Sequence, residues 1–318
     1  MKDKNKILHD YQNKGYLHIK NFFSDDEIQN FKKNFFLNKY KNKETNGSYE
    51  ISIDENYGYL LKDERLSDIL NIILDNDCVY SGESSLSGNF TSNKISKRWM
   101  HTDTRGNTNN PYGRTYYDPA KKTYPLCAVF IYLEDYEKFS GAIKVVKGSH
   151  KKFLPTIGNY LKIFFNISKQ YKFDGKYSLK SIPFFSFLKT KNIYTKPGDL
   201  FIFNMALHHS ANSCKLKIFP KVALPVFLEI FFKKYLPIIF EKDSQYRRII
   251  SLVFGKQSEE LENYIRSRVQ YINFKFISNS EFFNNNNFRK EMESKGFKTN
   301  VNLKNYYKEL KGENLNDL

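Results

Sequence analysis

The 318-residue chain has room for two domains or one elaborated β-barrel enzyme, and its 40% hydrophobic and 17% aromatic content excludes a wholly disordered polymer. Lys and Arg number 51 against 34 Asp and Glu, a net charge of +17, but the basic residues are spread along the chain without a recognition motif, which weighs against nucleic acid as partner. Three distant cysteines (Cys78, Cys127, Cys214), with no C-x-x-C pair, exclude a disulfide scaffold and a cysteine-rich zinc site.

At the N-terminus, MKDKNKILHDYQNKG has no apolar run behind its lysines, so no secretory signal is expected. No stretch of about 18 apolar residues marks a membrane-spanning helix. A cytoplasmic location is the expectation. Residues 15–23 (GYLHIKNFF) alternate as a short strand. Ser24-Asp25-Asp26-Glu27 then forms a capping box that opens a helix with Ile28, Phe31 and Phe35 on one face. A second helix is expected over about 64–75. From 78 to 210 the chain reads mainly as strands and turns, among them CAVFIYLED (127–135), GAIKVVKGSH (141–150) and, after the turn Lys196-Pro197-Gly198-Asp199, the run LFIFNMALHH. Strands without βα periodicity predict a sandwich or closed barrel.

Two segments interrupt this pattern. Residues 153–190 are aromatic and basic, and 216–240 (KLKIFPKVALPVFLEIFFKKYLPIIF from Lys215) are apolar with lysine flanks. Three prolines prevent the latter from forming one long helix, and it reads as a lid, a pocket wall, a membrane-touching patch or simply a buried helix. A further helix is expected over 257–269, followed by a peripheral Asn- and Lys-rich end.

Six histidines are available to a metal: His9, His18, His101, His150, His208 and His209. In Trp99-Met100-His101-Thr102-Asp103, residues i and i+2 of an extended segment project to one face, so His101 and Asp103 can grip a single ion. A second histidine from a distant strand completes a two-His-one-carboxylate face, the arrangement of non-haem Fe(II) oxygenases. His208 or His209 supplies it. Only one of this adjacent pair can ligate, because neighbours on a strand point to opposite faces. His150, in Gly148-Ser149-His150, reads as a loop-shaping residue, Trp99 as packing at the barrel mouth, and Arg105 and Arg114 as solvated loop residues.

In family order, YQNKGYLHIKNFFSDDEI, WMHTDT, FIYLEDYEKFSGAIKVVKGSH, PGDLFIFNMALHHSAN and YRRIISLVFG resemble the landmarks of the phytanoyl-CoA dioxygenase-like family of Fe(II)/2-oxoglutarate-dependent oxygenases. The resemblance covers roughly residues 11 to 255. It implies a mainly β fold with flanking α-helices and a double-stranded β-helix (jelly-roll, cupin-like) core. It also implies Fe(II) held by His101, Asp103 and His209, since the family's distal histidine follows the turn Asp by ten residues and Asp199 leads to His209. The 2-oxoglutarate carboxylate then requires a cation. The family places an Arg about a dozen residues after the distal histidine, where this chain has Lys221. The strand-like match comes later, at Arg247-Arg248-Ile249-Ile250-Ser251, where Arg247 stands four before Ser251. Arg247 is the expected anchor, with Lys221 and Arg248 as alternatives.

The expected organisation is a single oxygenase domain over 1–275, with 153–190 and 214–245 as insertions forming a lid or pocket wall, and a peripheral extension over 276–318. The expected activity is hydroxylation of a small-molecule, lipid- or sugar-linked substrate with release of succinate and CO2. Asp103 favours this over halogenation, because related halogenases lack the carboxylate. The insertions suggest an anionic or lipid- or nucleotide-linked substrate and peripheral membrane contact. The alternative is a non-catalytic β-barrel module that binds an anionic glycan or lipid.

Overall fold

The computed structural model describes residues 3–41, 57–90, 103, 124–151, 172–173, 176–177, 190–224, 226–244, 246–271 and 286–299. Helix α1 (Lys4–Lys14) is capped by Asp3 and stops at Gly15, whose φ of 81° is left-handed. Sequence periodicity did not reveal α1, because only Ile7 and Tyr11 turn inward from an otherwise polar helix. Strand β1 (Tyr16–Ile19) leads to α2 (Asp25–Lys41) through the expected capping box, with Glu27 N–H donating to Ser24 Oγ at 3.3 Å and Ser24 N–H to Glu27 Oε2 at 2.7 Å. Helix α3 covers Glu64–Ile73.

The strands are β2 (Val79–Phe90), β3 (Leu126–Tyr132), β4 (Ala142–Val146), a small hairpin of β5 (Lys172–Phe173) and β6 (Lys176–Tyr177), β7 (Thr190–Ile193), β8 (Leu200–Asn204), β9 (His209–Ser213), β10 (Tyr246–Gly255) and β11 (Lys298–Thr299). They form a six-stranded sheet in the order β1-β8-β3-β10-β2-β11, a three-stranded sheet β7-β4-β9, and the hairpin. Helices α4 (Val226–Tyr235), α5 (Glu259–Tyr271) and α6 (Asn286–Ser294) complete the chain. The fold is mainly β with several helices. Among the described residues, no helix is long and apolar enough to cross a membrane.

Strand alternation divides the core into two layers. Cys127, Val129, Ile131, Leu200, Ile202, Ile250, Leu252 and Phe254 face the helices, packing with Ile28, Phe31, Leu66 and Leu70. Their neighbours Ala128, Tyr132, Phe201, Phe203, Ile249 and Val253 face the small sheet and pack with Ile143, Val145 and Ile193. The large sheet is therefore buried on both sides, which explains why its strands read as continuous apolar runs.

Two expectations change. The run LFIFNMALHH is not one strand: it breaks after Asn204, and the chain crosses from the large sheet to the small one before resuming at His209. The C-terminal segment expected to be peripheral places Met292 and Phe297 in the helix-side core, and β11 pairs in parallel with β2.

The apolar insertion leaves and re-enters through a closed neck. Lys217 N–H donates to Ile239 O at 3.0 Å and Glu241 N–H to Lys215 O at 2.8 Å. Within it, Glu229 of α4 reaches the outer face of the small sheet and pairs with Lys144 of β4 at 2.5 Å, both side chains being buried. Lys144 Nζ also donates to Leu224 O. Ser213 Oγ–H bridges to Asn192 Oδ1 at 2.6 Å or to Glu229 Oε1 at 3.1 Å. Burial pushes the Glu229 carboxyl up and the Lys144 ammonium down, while their mutual attraction opposes both shifts. Helix α4 thus lies behind the small sheet.

Two consequences can be measured by urea unfolding. Phe297→Ala should cost about 3–5 kcal/mol, the usual loss for emptying a buried aromatic site; a change near zero would mean that the C-terminal segment does not contribute to the core. Glu229→Ala should cost about 3–5 kcal/mol by leaving Lys144 buried without its partner, and the pair Lys144→Met with Glu229→Leu should recover most of it. Equal stability of the Glu229 single variant and the wild type would contradict the buried pair.

Candidate functional site

The crossover between β8 and β9 is built around Asn204, which is fully buried. Its Nδ2 donates to Tyr124 O at 2.9 Å and its Oδ1 accepts from Ala206 N–H at 2.9 Å. Its own N–H donates to Gly15 O at 2.9 Å, and Leu207 N–H returns to Asn204 O at 2.8 Å. Met205, next in the chain, donates its N–H to Leu126 O at 3.1 Å and accepts Asp103 N–H at 2.9 Å. One turn therefore carries His209 into the small sheet and fixes the backbone at Asp103.

His209 opens β9 directly opposite Val145 of β4. Paired residues project to the same face, so His209 shares the inward face of Val145, away from Lys144 and α4. Its ring lies against Phe203, centroid to centroid 4.7 Å, and is buried. His209 Nδ1 stands 3.1 Å from Leu207 O, which can only accept, so Nδ1, rather than Nε2, is the ring nitrogen that donates to the turn. That Nε2 is 3.4 Å from Asp103 Oδ2, whose side chain is one-third exposed. An imidazole nitrogen and a carboxylate oxygen thus converge at the edge of an apolar layer, a pairing that can share a proton or a cation.

Of the expected ligands, Asp103 and His209 are brought together. His101 lies outside the described residues, as do Trp99, Arg105 and Arg114. Among the described residues, no group of three or more metal-ligating side chains forms. His208 is buried in the turn, its N–H donating to Ser149 Oγ at 2.9 Å and its carbonyl accepting Val146 N–H.

For the expected carboxylate anchor, the backbone of Arg247 lies in β10 opposite Asn89, on the parity of Ile249, Ser251 and Val253. Ser251 Oγ meets Ser85 Oγ at 2.6 Å. Arg248 takes the other parity, and its Nε donates to Glu134 at 2.6 Å on the helix side. Lys221 is exposed in a turn of the insertion. His150 serves as expected in shaping the loop: its Nε2 meets Gln12 O at 3.0 Å, and a Cβ on Gly15 would come within 2.4 Å of its Nδ1. Asp199 clasps β1 to the turn before β8, its Oδ2 bonded to His18 Nε2 at 2.7 Å and its Oδ1 to Asn21 N–H at 3.0 Å. Burial works against the Asp199 carboxylate, but these bonds outweigh it and hold the group below its usual range.

Residues missed by motif reading are Asn204, Phe203 and the Leu207 carbonyl. The first had a signal: a lone Asn in the apolar run LFIFNMAL must find buried partners, and a turn provides them. The three cysteines are buried, and desolvation pushes the Cys214 thiol up to about 12, which leaves it unreactive.

Comparison with known proteins agrees with this architecture. SnoN, a non-haem α-ketoglutarate-dependent epimerase from nogalamycin biosynthesis, superposes with a TM-score of 0.50 at 12% identity over 80% of each chain. HygX from Streptomyces hygroscopicus, a structure with nickel and 2-oxoglutarate bound, gives 0.50 at 17% identity over 79% of this chain and 87% of its own. ThoJ, a non-haem monooxygenase, gives 0.50 at 11% identity over 79% and 77%. These likenesses concern the fold. No curated protein sequence matches the chain. The family model for phytanoyl-CoA dioxygenase (PhyH), whose members use Fe(II) and 2-oxoglutarate, matches residues 11–215. With well over half its length matched, the chain belongs to the phytanoyl-CoA dioxygenase family.

Proposed function

We propose that this protein is an Fe(II)/2-oxoglutarate-dependent dioxygenase that hydroxylates a small-molecule, lipid- or sugar-linked substrate on a double-stranded β-helix core. The observation that carries the proposal is the 3.4 Å approach of His209 Nε2 to Asp103 Oδ2. One imidazole nitrogen and one carboxylate oxygen are two of the three donors of the facial triad, and His101, two residues before Asp103, is the third. The donor chemistry fits iron. The group would supply the oxidising chemistry that couples decarboxylation of 2-oxoglutarate to substrate oxidation.

The chain's own residues prepare this site. The Leu207 carbonyl accepts the proton on His209 Nδ1, which holds the ring in one orientation with Nε2 toward Asp103. Phe203 limits rotation of that ring and keeps water from its inner side. Met205 O fixes the Asp103 backbone, so the carboxylate swings only about its own side-chain bonds. Arg247 is proposed to bind the far carboxylate of 2-oxoglutarate. Its backbone in β10 alternates with that of Arg248, whose guanidinium is engaged by Glu134, and Lys221 is exposed. A guanidinium suits this role, because it remains charged when buried and offers two parallel donors. The carboxylate at Asp103 favours hydroxylation over halogenation.

Succinate release from 2-oxoglutarate in the presence of Fe(II) tests the ligand set. His101→Ala, Asp103→Ala and His209→Ala should each fall to background with an unchanged circular dichroism spectrum, while His208→Ala should retain most of the wild-type rate. Wild-type rates in any of the first three would exclude that residue. The apparent affinity for 2-oxoglutarate tests the anchor. Arg247→Ala should lose a factor on the order of a hundred to a few thousand, equivalent to about 3–5 kcal/mol for one lost member of a buried pair. Lys221→Ala and Arg248→Ala should stay within a few-fold, and a large loss in Lys221→Ala would move the anchor to the insertion.

A further inference from the structure

Helix α4 departs from the usual pattern of a surface helix. Its acidic residue, Glu229, is buried against Lys144 on the small sheet, while the aromatic residues Phe231 and Tyr235 stand on the outer side at 53% and 58% exposure. A surface helix ordinarily does the reverse, presenting charge to water and burying its aromatics. The two rings touch each other, with centroids 4.9 Å apart. Exposed apolar side chains recur at both ends of the insertion. Among the described residues, every large hydrophobic side chain that is clearly exposed lies between 218 and 238, apart from Phe139 at the margin. Ile218 and Ile238 reach 79% and 76% exposure, with Phe219 and Leu236 beside them in sequence. Isolated exposed apolar residues need no explanation, but a set gathered in one excursion of the chain does.

The insertion is also held firmly. Its neck is closed by the backbone bonds of Lys217 to Ile239 and of Glu241 to Lys215, and its helix is tied down by the buried ion pair. The outward apolar surface is therefore a fixed feature of the fold. Its charge is one-sided: Lys217, Lys221, Lys234 and Lys242 are exposed around it, whereas the exposed Asp243 is occupied by Lys233 at 2.6 Å. Exposed apolar side chains interspersed in sequence with exposed lysines match the boundary of an anionic bilayer, where rings enter the acyl region and ammonium groups meet phosphates.

We propose that the 217–238 insertion is a membrane-docking surface that seats the protein on bilayers containing anionic lipid, without spanning them. The dock lies on the sheet face opposite His209, so it concerns where the protein works rather than how it reacts. It stands independently of the activity proposed above.

Sedimentation of the full-length protein with lipid vesicles tests it. Binding to phosphatidylcholine vesicles containing phosphatidylglycerol should be at least about ten-fold tighter than to phosphatidylcholine alone, and should weaken as salt is raised. Replacing Lys217, Lys221 and Lys234 together by Glu should weaken it by at least about a hundred-fold. Ile218→Ser with Phe231→Ser and Ile238→Ser should remove it with an unchanged melting temperature, since these side chains are exposed. The charge variants keep the proposal testable should the serine variant misfold. Absence of binding by the wild type, or binding unaffected by either set, would overturn the proposal. So would a wild-type dimer that the serine variant converts to monomer, because the surface would then belong to a second copy of the chain.

Discussion

A single buried asparagine holds the candidate site in register. At Asn204 the chain leaves the six-stranded sheet and, within five residues, enters the three-stranded one. Such a crossing exposes backbone polar groups in the centre of an apolar core, where each unsatisfied group costs about 1–3 kcal/mol. Asn204 removes that cost by imitating a strand neighbour, binding Tyr124 O and Ala206 N–H with its amide. With the turn set in this way, Met205 O faces Asp103 N–H and Leu207 O faces the His209 ring. The separation of His209 from Asp103 therefore follows from a hydrogen-bonding requirement of the backbone.

The small sheet keeps two incompatible environments apart. Val145 and His209 look inward at Phe203 and the aromatic layer, while Lys144, one residue away, looks outward to Glu229. Strand alternation alone separates an imidazole that needs a lone pair from an ammonium that would repel a metal ion. A single-residue slip of β4 against β9 would exchange the two faces. The buried ion pair on the outer face opposes such a slip, since the slipped register would leave both charges without partners. Support for the inner site and attachment of the insertion thus depend on the same strand.

Much of this was legible in the sequence, for identifiable reasons. The capping box at Ser24, the buried strand CAVFIYLED and the turn at Gly198-Asp199 are local signals that tertiary packing reinforces, and each appears in the fold. The ten residues from Asp199 to His209 span a break in the run, which local alternation did not reveal. Less was legible where the determinant is not local. Helix α1 shows only two inward apolar residues, and its place depends on packing beneath α3 and β1. Phe297 and Met292 sit in a polar stretch that reads as solvated, yet they complete the helix-side core. The apolar insertion suggested a lid, a pocket wall, a membrane-touching patch or a buried helix. Composition could not show that its acidic residue would turn inward and send α4 to the far side of the small sheet.

His209 and Asp103, with His101, are proposed to form an iron site that receives 2-oxoglutarate. The most direct measurement is the visible absorption spectrum of the anaerobic protein with Fe(II), recorded before and after addition of 2-oxoglutarate. A weak charge-transfer band should appear only with both components and be missing in His209→Ala. A featureless wild-type spectrum at saturating Fe(II) and 2-oxoglutarate, or an identical band in His209→Ala, would contradict the proposal.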